Sequence, residues 1–298
     1  EIARQEFEAA EKAGLSRILE ARKAAAKGAS AAAEEINVNI AWNAEEYTEH
    51  FQFVHQYGED LFSWLDLTPG MSVVDLGCGN GALTERLAAM GAEVLGLDAS
   101  SEMLAVAQRR HPRLRFERAD AASFIVEQPV DAIFSNAVFH WIDDQEALLS
   151  SVSQALKPGG QLVCEFGGAG CAETVHHALR TAFARRGLPY RFRFYFPTVG
   201  EYAPLLEAHR LKVVRASLFD RFTEQVGEDG LADWIRMFVT LPFEGLSDSR
   251  RAEIIREAVE ACRPSLFVNG KWHVDYVRIR IKAIRVAGPL EAAKEKIR

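Results

Sequence analysis

From Ser72 onward the apolar positions fall into short runs separated by stretches with helical spacing. Runs at 72–76, 93–97, 113–117, 132–135 and 161–166 predict five strands. A helix is expected over about 82–90, stopped by Gly91. Ser100 or Ser101 can cap the next helix, with Glu102 in its first turn. Asp143 and Asp144 open a further helix whose apolar stripe is Leu148, Leu149, Val152 and Leu156. Pro158-Gly159-Gly160 ends it. Strands that alternate with helices in this way imply a parallel sheet covered on both faces. The second half is less regular, with a helix near 174–186, a strand at 213–218 and a mostly helical insertion over 222–272. The last strand, 277–284, has Val277, Ile279, Ile281 and Ala283 alternating with Arg278, Arg280 and Lys282. A period of two predicts one buried and one wet face, as on an antiparallel or edge strand, and leaves Arg278 and Arg280 in solvent.

The expected fold class is therefore α/β, a doubly wound and mostly parallel sheet with an antiparallel last strand and a partly helical cap. The main domain is expected over 36–287, with cap insertions at about 185–210 and 222–272. Residues 1–35 and 288–298 are rich in Ala, Glu, Lys and Arg. They read as solvated helical flanks, as oligomerising helices or as additions outside the natural chain.

Composition narrows the function classes. The chain has 298 residues, 48% hydrophobic and 26% charged, ample for a buried core. The formal net charge of −7 gives no bulk attraction to nucleic acid or to an anionic membrane, so neither is expected as a partner. Cys78, Cys164, Cys171 and Cys262 form no zinc-ligand spacing and read as reduced, buried thiols, so no metal is expected. No apolar run is long enough to span a bilayer and no signal-peptide pattern is present, so a cytoplasmic location is expected.

The chemistry concentrates at Val73-Val74-Asp75-Leu76-Gly77-Cys78-Gly79-Asn80-Gly81, an apolar strand running into a glycine-rich turn and a helix. Glycines there let a ligand approach the backbone, at the carboxyl end of a strand where open α/β sheets bind ligands. Gly77, Gly79 and Ala82 also satisfy a dinucleotide fingerprint. Asp98 follows Gly77 by 21 residues and ends the second strand, where one carboxylate can accept ribose hydroxyls. Both readings call for an adenosine-containing ligand.

Between Trp42 and Arg285 the sequence resembles the class I S-adenosylmethionine-dependent methyltransferases, which implies a Rossmann-like core. The resemblance implies S-adenosyl-L-methionine as cofactor and S-adenosyl-L-homocysteine as product. It places Asp75, Gly77, Cys78 and Gly79 at the methionine moiety, and Asp98 with Ala99 at the ribose. Met103 would pack on the adenine, Asp120 and Ala121 would read its edge, and Asn136 would face the cofactor's amino end. The segment Leu156-Lys157-Pro158-Gly159-Gly160 is similar to the family's turn before strand five. Within that class the chain is similar to trans-aconitate methyltransferase-like proteins. The carriers are Asn136-Ala137-Val138-Phe139-His140-Trp141, Tyr195-Phe196-Pro197, Trp234 and Trp272-His273-Val274-Asp275-Tyr276. The stretch from Trp42 to Gly58 resembles the helix that lids the cofactor. His140 departs from the polar residue expected there, which leaves the small-molecule acceptor open.

Methyl transfer from a sulfonium is mainly a matter of alignment, and a base is needed only for a protonated nucleophile. His140 is the candidate general base, and Trp141, Glu165 and Tyr195 are candidate acceptor contacts. His176 and His177 are adjacent and point in different directions on a helix, so at most one can face the site, and the helix surface is the expected place for them. The run Arg185 to Phe196 interleaves arginine with aromatics, which suits an anionic or aromatic acceptor, an RNA contact, or a cap strand with wet arginines. Two other function classes stay open: an RNA or protein methyltransferase, and a cofactor-binding or assembly scaffold without turnover.

Overall fold

The computed structural model describes residues 60–287. The flanks 1–35 and 288–298, and the stretch Trp42 to Gly58 compared with a lid helix, lie outside the described residues. The five expected strands form as β1 Ser72–Leu76, β2 Glu93–Asp98, β3 Arg115–Arg118, β4 Val130–Asn136 and β5 Leu156–Gly167. Helices α1 Ala82–Ala89, α2 Ser101–Arg110 and α3 Gln145–Ala155 separate them. Ser100 caps α2 by accepting from the Met103 amide, and Asp144 caps α3 by accepting from Ala147. Gly159 and Gly160 fall inside the assigned β5, where the register against β4 shifts, so the strand begins earlier than the Pro-Gly-Gly signal implied.

Helices α4 Glu173–Ala184 and α5 Val199–Ala208 follow, then strand β6 Leu211–Glu224. Helices α6 Gly230–Phe238 and α7 Asp248–Leu266 lead into the hairpin of β7 Phe267–Val268 and β8 Lys271–Arg285. The strand order is β3-β2-β1-β4-β5-β8-β6. Strands β1 to β5 pair in parallel, while β8 runs antiparallel between β5 and β6. The order reverses between β1 and β4, which opens a crevice at their carboxyl ends.

Three apolar clusters hold the layers together. Leu148, Leu149 and Val152 of α3 and Tyr202 and Leu206 of α5 pack on Val74, Ile133, Leu162 and Ile281. Helix α5 therefore belongs to the sheet core, although it falls within the expected cap insertion at 185–210. The opposite face carries Phe62 and Trp64 of a short 3-10 turn against Val73, Phe134 and Val163. The third cluster joins α4, α6 and α7 to the first half of β8, and forms the cap.

The two arginines of β8 correct the sequence reading. Arg278 and Arg280 are buried, at 7% and 8% exposure. The alternation was read as an edge strand, but β8 lies inside the sheet with a partner on each side, so its polar face is covered. What makes that tolerable for Arg280 is Glu165, directly opposite it on β5. Arg280 donates to Glu165 Oε2 from Nε at 2.8 Å, and Arg221 donates to the same oxygen at 3.0 Å and to Oε1 at 2.5 Å. Arg280 also lies 5.4 Å from the centres of the Trp64 and Phe219 rings. Removing one partner of a buried pair leaves the other charge uncompensated, at about 3–5 kcal/mol. Glu165→Gln is therefore expected to lower stability by about that amount in urea titration. A loss under about 1 kcal/mol would mean that the cluster is solvated.

Candidate active site

The glycine turn is built by the strand that precedes it. The amides of Gly77 and Cys78 both donate to the Leu97 carbonyl, at 2.7 and 2.9 Å, which ties the turn to β2. Gly77 has φ +77°, and a Cβ there would stand 2.1 Å from a Val138 methyl carbon. Only glycine lets the segment after β4 close over the turn in this way. Gly79 donates to Asp98 Oδ2 at 2.9 Å, and Ser100 donates to Oδ1 at 2.8 Å. The Met103 methyl carbon lies 3.2 Å from where a Gly79 Cβ would be. Asp75, Gly77, Gly79, Asp98 and Met103 are thus brought to one place.

Cys78 is buried in the same turn, and burial pushes its thiol well above the usual range. Ala99 follows Asp98, and its carbonyl accepts from Arg118 Nε at 3.0 Å. Asp120 and buried Ala121 follow β3, joined to β2 where Ala119 donates to the Asp98 carbonyl at 3.0 Å. Asn136 ends β4, beside Glu165 in register. Every residue expected at the cofactor therefore lies in or just beyond the carboxyl ends of β1 to β4.

Burial governs the acids of this crevice. It raises Asp75 to about 7, opposed by the hydrogen bond from Thr84 Oγ1 at 2.6 Å and reinforced by the Asp98 charge. Burial also raises Asp98, against the amides of Ser100 and Gly79. The Asp98 carboxylate takes backbone donors from Gly79, Ser100 and Ala99, and its two oxygens have about four acceptor positions, so it keeps capacity for a ribose hydroxyl. The close-packed glycines and the Met103 thioether suit an adenosine ligand, so the residues present fit the cofactor.

Beyond β4 the chain turns through Ala137, a non-glycine residue at φ +61°, a conformation costing about 1–2 kcal/mol. That turn projects Val138 over Gly77 and starts the 3-10 turn Phe139–Trp141. His140 is 8% exposed, and its Nδ1 accepts from the Gly167 amide at 3.3 Å. The imidazole is held neutral, well below the usual histidine range, by burial first and by the Arg278 charge second. With Nδ1 accepting, the ring proton sits on Nε2. Trp141 donates from its indole to the Ala137 carbonyl at 3.1 Å and meets Phe194 edge-on at 4.5 Å. A shallow open cleft lined by Trp141, Phe192, Phe194, Phe238 and Leu241 lies on its outer side.

The run 188–198 is irregular rather than a strand, but extended enough that side chains alternate. Phe194 and Phe196 face His140, with ring centres at 6.0 and 5.8 Å. Tyr195, between them, turns toward Tyr202 and the sheet core instead, and only its amide reaches the site, donating to the His140 carbonyl at 3.1 Å. His176 is not on the surface of α4. It is 1% exposed, pushed down to about 3 by burial and then by Arg180, with Tyr190 Oη 2.7 Å from its Nδ1 and Phe192 against its ring. The sequence reading missed His176, Phe194 and Arg278. The i, i+2 spacing of aromatics at 192, 194 and 196 is the signal that could have found the shared face. Among the described residues no cluster of His, Cys, Asp or Glu could hold a metal ion, and no helix is long and apolar enough to cross a membrane.

Residues 73–160 match a family model described as a methyltransferase domain. A trans-aconitate 2-methyltransferase of Methylobacterium radiotolerans is 33% identical over 216 residues, covering 68% of this chain and 81% of that protein. One from Methylobacterium nodulans is 41% identical over 126 residues, covering 42% of this chain and 49% of that one. The crystal structure of the YcgJ protein from Bacillus subtilis superposes with a TM-score of 0.53 at 19% identity, covering 80% of this chain and all of that one, a likeness of fold. The fold and the sequence matches make this chain an S-adenosylmethionine-dependent methyltransferase. Within that class it belongs to the trans-aconitate 2-methyltransferase family. Its cofactor is S-adenosyl-L-methionine, and S-adenosyl-L-homocysteine is the product.

Two expectations follow for the crevice. Gly77→Ala would force a Cβ into Val138 at a left-handed φ, so S-adenosylhomocysteine affinity measured by calorimetry should fall at least about tenfold, the equivalent of about 1.4 kcal/mol. Asp75 has a folded-state value above its ordinary 3.8, so its contribution to stability is present below that value and is lost as pH rises through about 7. Asp75→Asn should flatten this fall and melt above the wild type at about pH 8 but not at about pH 4. A wild-type melting temperature that climbs across the same window would contradict it.

Proposed function

We propose that the enzyme methylates a carboxylate oxygen of a small organic acid, with trans-aconitate as the acceptor. The observation that carries this reading is the state of His140, neutral and with Nδ1 committed to the Gly167 amide. A hydroxyl, amine or carbon acid that reaches the site protonated needs a base, and this imidazole offers an N–H instead. A carboxylate is already ionised and needs only to be held. The trans-aconitate 2-methyltransferases among the relatives support the same acceptor class.

In this reading the cofactor supplies an activated methyl group and leaves as a neutral thioether. The protein's part is alignment. Asp98 fixes the ribose, Met103 and Ala121 border the adenine with Asp120 at its edge, and Asp75, Gly77, Cys78, Gly79 and Asn136 surround the methionine end. His140 Nε2–H orients the acceptor and Trp141 walls the site. Glu165 holds Arg221 and Arg280 rather than touching the acceptor, and Tyr195 acts through its backbone. Positioning of this kind can supply about 7–11 kcal/mol of the barrier. The net charge of −7 favours such a small acceptor over RNA.

The test is a pH–rate profile with trans-aconitate. Because His140 ionises well below its usual range, kcat/KM of the Asp75→Asn enzyme, which lacks the acid that titrates at about 7, is expected to be flat from about pH 6 to 9. A rising limb in that window would assign a base and sink the carboxylate reading. His140→Ala should lower kcat by about 100-fold, the scale of a lost alignment, with S-adenosylhomocysteine affinity unchanged.

A further inference from the structure

Arg278 differs from the other arginines buried on its face of the sheet. Arg221 and Arg280 share Glu165, whereas among the described residues no carboxylate pairs with Arg278. Its Nε has no hydrogen-bond partner, although the residue is only 7% exposed. The guanidinium carbon lies 4.5 Å from the centre of the Tyr276 ring, and Trp234 donates to that tyrosine's hydroxyl. An aromatic face attracts a cation but does not neutralise it. A guanidinium cannot give up its proton, so its charge persists wherever it is buried. A buried charge of this kind is costly unless paired.

The neighbours of Arg278 place that charge at the acceptor side of the site. Gly167 is its cross-strand partner on β5, so the two residues share one face. The Gly167 amide is the donor that fixes His140, and a side chain at Gly167 would collide with Phe196 at 2.4 Å. Phe196 therefore fills the space that a side chain at Gly167 would take, on the face Arg278 occupies. A second orphaned atom belongs to the same aromatic cluster. His176 Nε2 is buried without a partner, and the His176 ring stands 6.2 Å from Phe194, the ring that also faces His140. A buried guanidinium with no carboxylate partner among the described residues, an unpaired imidazole nitrogen and aromatic rings between them are complementary to a planar anion.

We propose that Arg278 is the anchor for a carboxylate of the acceptor, and that this carboxylate is not the one methylated. A guanidinium fork binds a carboxylate through two parallel hydrogen bonds, which occupies both oxygens. The oxygen that attacks the methyl carbon then belongs to a second carboxylate on the same molecule. The acceptor is thus at least a dicarboxylic acid, with a planar skeleton lying against Phe194 and Phe196. This rests on the small-acid reading above and adds to it the residue that selects the acid.

The experiment uses the full chain saturated with S-adenosylhomocysteine, titrated calorimetrically with trans-aconitate, fumarate and crotonate. The wild type is expected to bind the two polycarboxylates at least about tenfold more tightly than the monocarboxylate. Arg278→Gln should lose at least about 30-fold in trans-aconitate affinity, with S-adenosylhomocysteine affinity within about twofold of wild type. Arg278→Lys, which keeps the charge without the fork, should fall between. In thermal melts without acid, Arg278→Gln should be no less stable than wild type, and the shift that trans-aconitate induces should disappear. Undiminished trans-aconitate binding by Arg278→Gln overturns the anchor alone, as does a lower melting temperature, which would assign Arg278 a structural role. Failure of the wild type to bind any of the three acids overturns the anchor together with the small-acid reading.

Discussion

A strand carrying two arginines can occupy the interior of this sheet because a carboxylate stands opposite one of them. Glu165 is nearly inaccessible and receives both Arg280 and Arg221. Without it, the guanidinium groups of Arg280 and Arg221 would lie largely buried and uncompensated where β8 passes between β5 and β6. The position of β8 in turn decides the rest of the second half. It sets where β6 pairs, where α4 and α5 must cross, and which face of β5 is left for the cap. One buried acid thus holds together the junction between the parallel strands and the β8–β6 half of the sheet.

The two halves solve different problems. The crevice at the ends of β1 to β4 is formed largely from backbone: amides on the Leu97 carbonyl, amides on the Asp98 carboxylate, and glycines that admit Val138 and Met103. Such a site is tolerant of sequence outside its few fixed positions. The surroundings of His140 are built mainly from side chains, those of Trp141, Phe194 and Phe196, with the Gly167 amide holding the imidazole.

Much of the first half was legible from the chain alone because local rules act in concert there. Apolar runs, serine and aspartate caps and the glycine turn all point to the same strands and helices, and the spacing from Gly77 to Asp98 follows from one strand–helix–strand unit. The second half was harder for a definite reason. The alternation in β8 is real, but alternation reports chemistry on each face and not whether that face meets water. Only the placement of Glu165 opposite Arg280, 115 residues away in sequence, decides the matter. His176 was misread similarly, since a histidine on an amphipathic helix looks solvated until Phe192, Phe194 and Trp234 are brought against it by segments that follow. The orientation of Tyr195 away from the site was readable in principle, from the two-residue rhythm of the phenylalanines around it.

The cap shares its strands with the sheet. β6 runs unbroken from Leu211 to Glu224 and β8 from Lys271 to Arg285, paired along nearly their whole length. Bending the cap cluster against the sheet would break the ladder of backbone hydrogen bonds between β6 and β8, whose one irregularity is the register shift between Val213 and Arg215. A shared pair of strands makes the cap and the sheet one mechanical piece along β6 and β8.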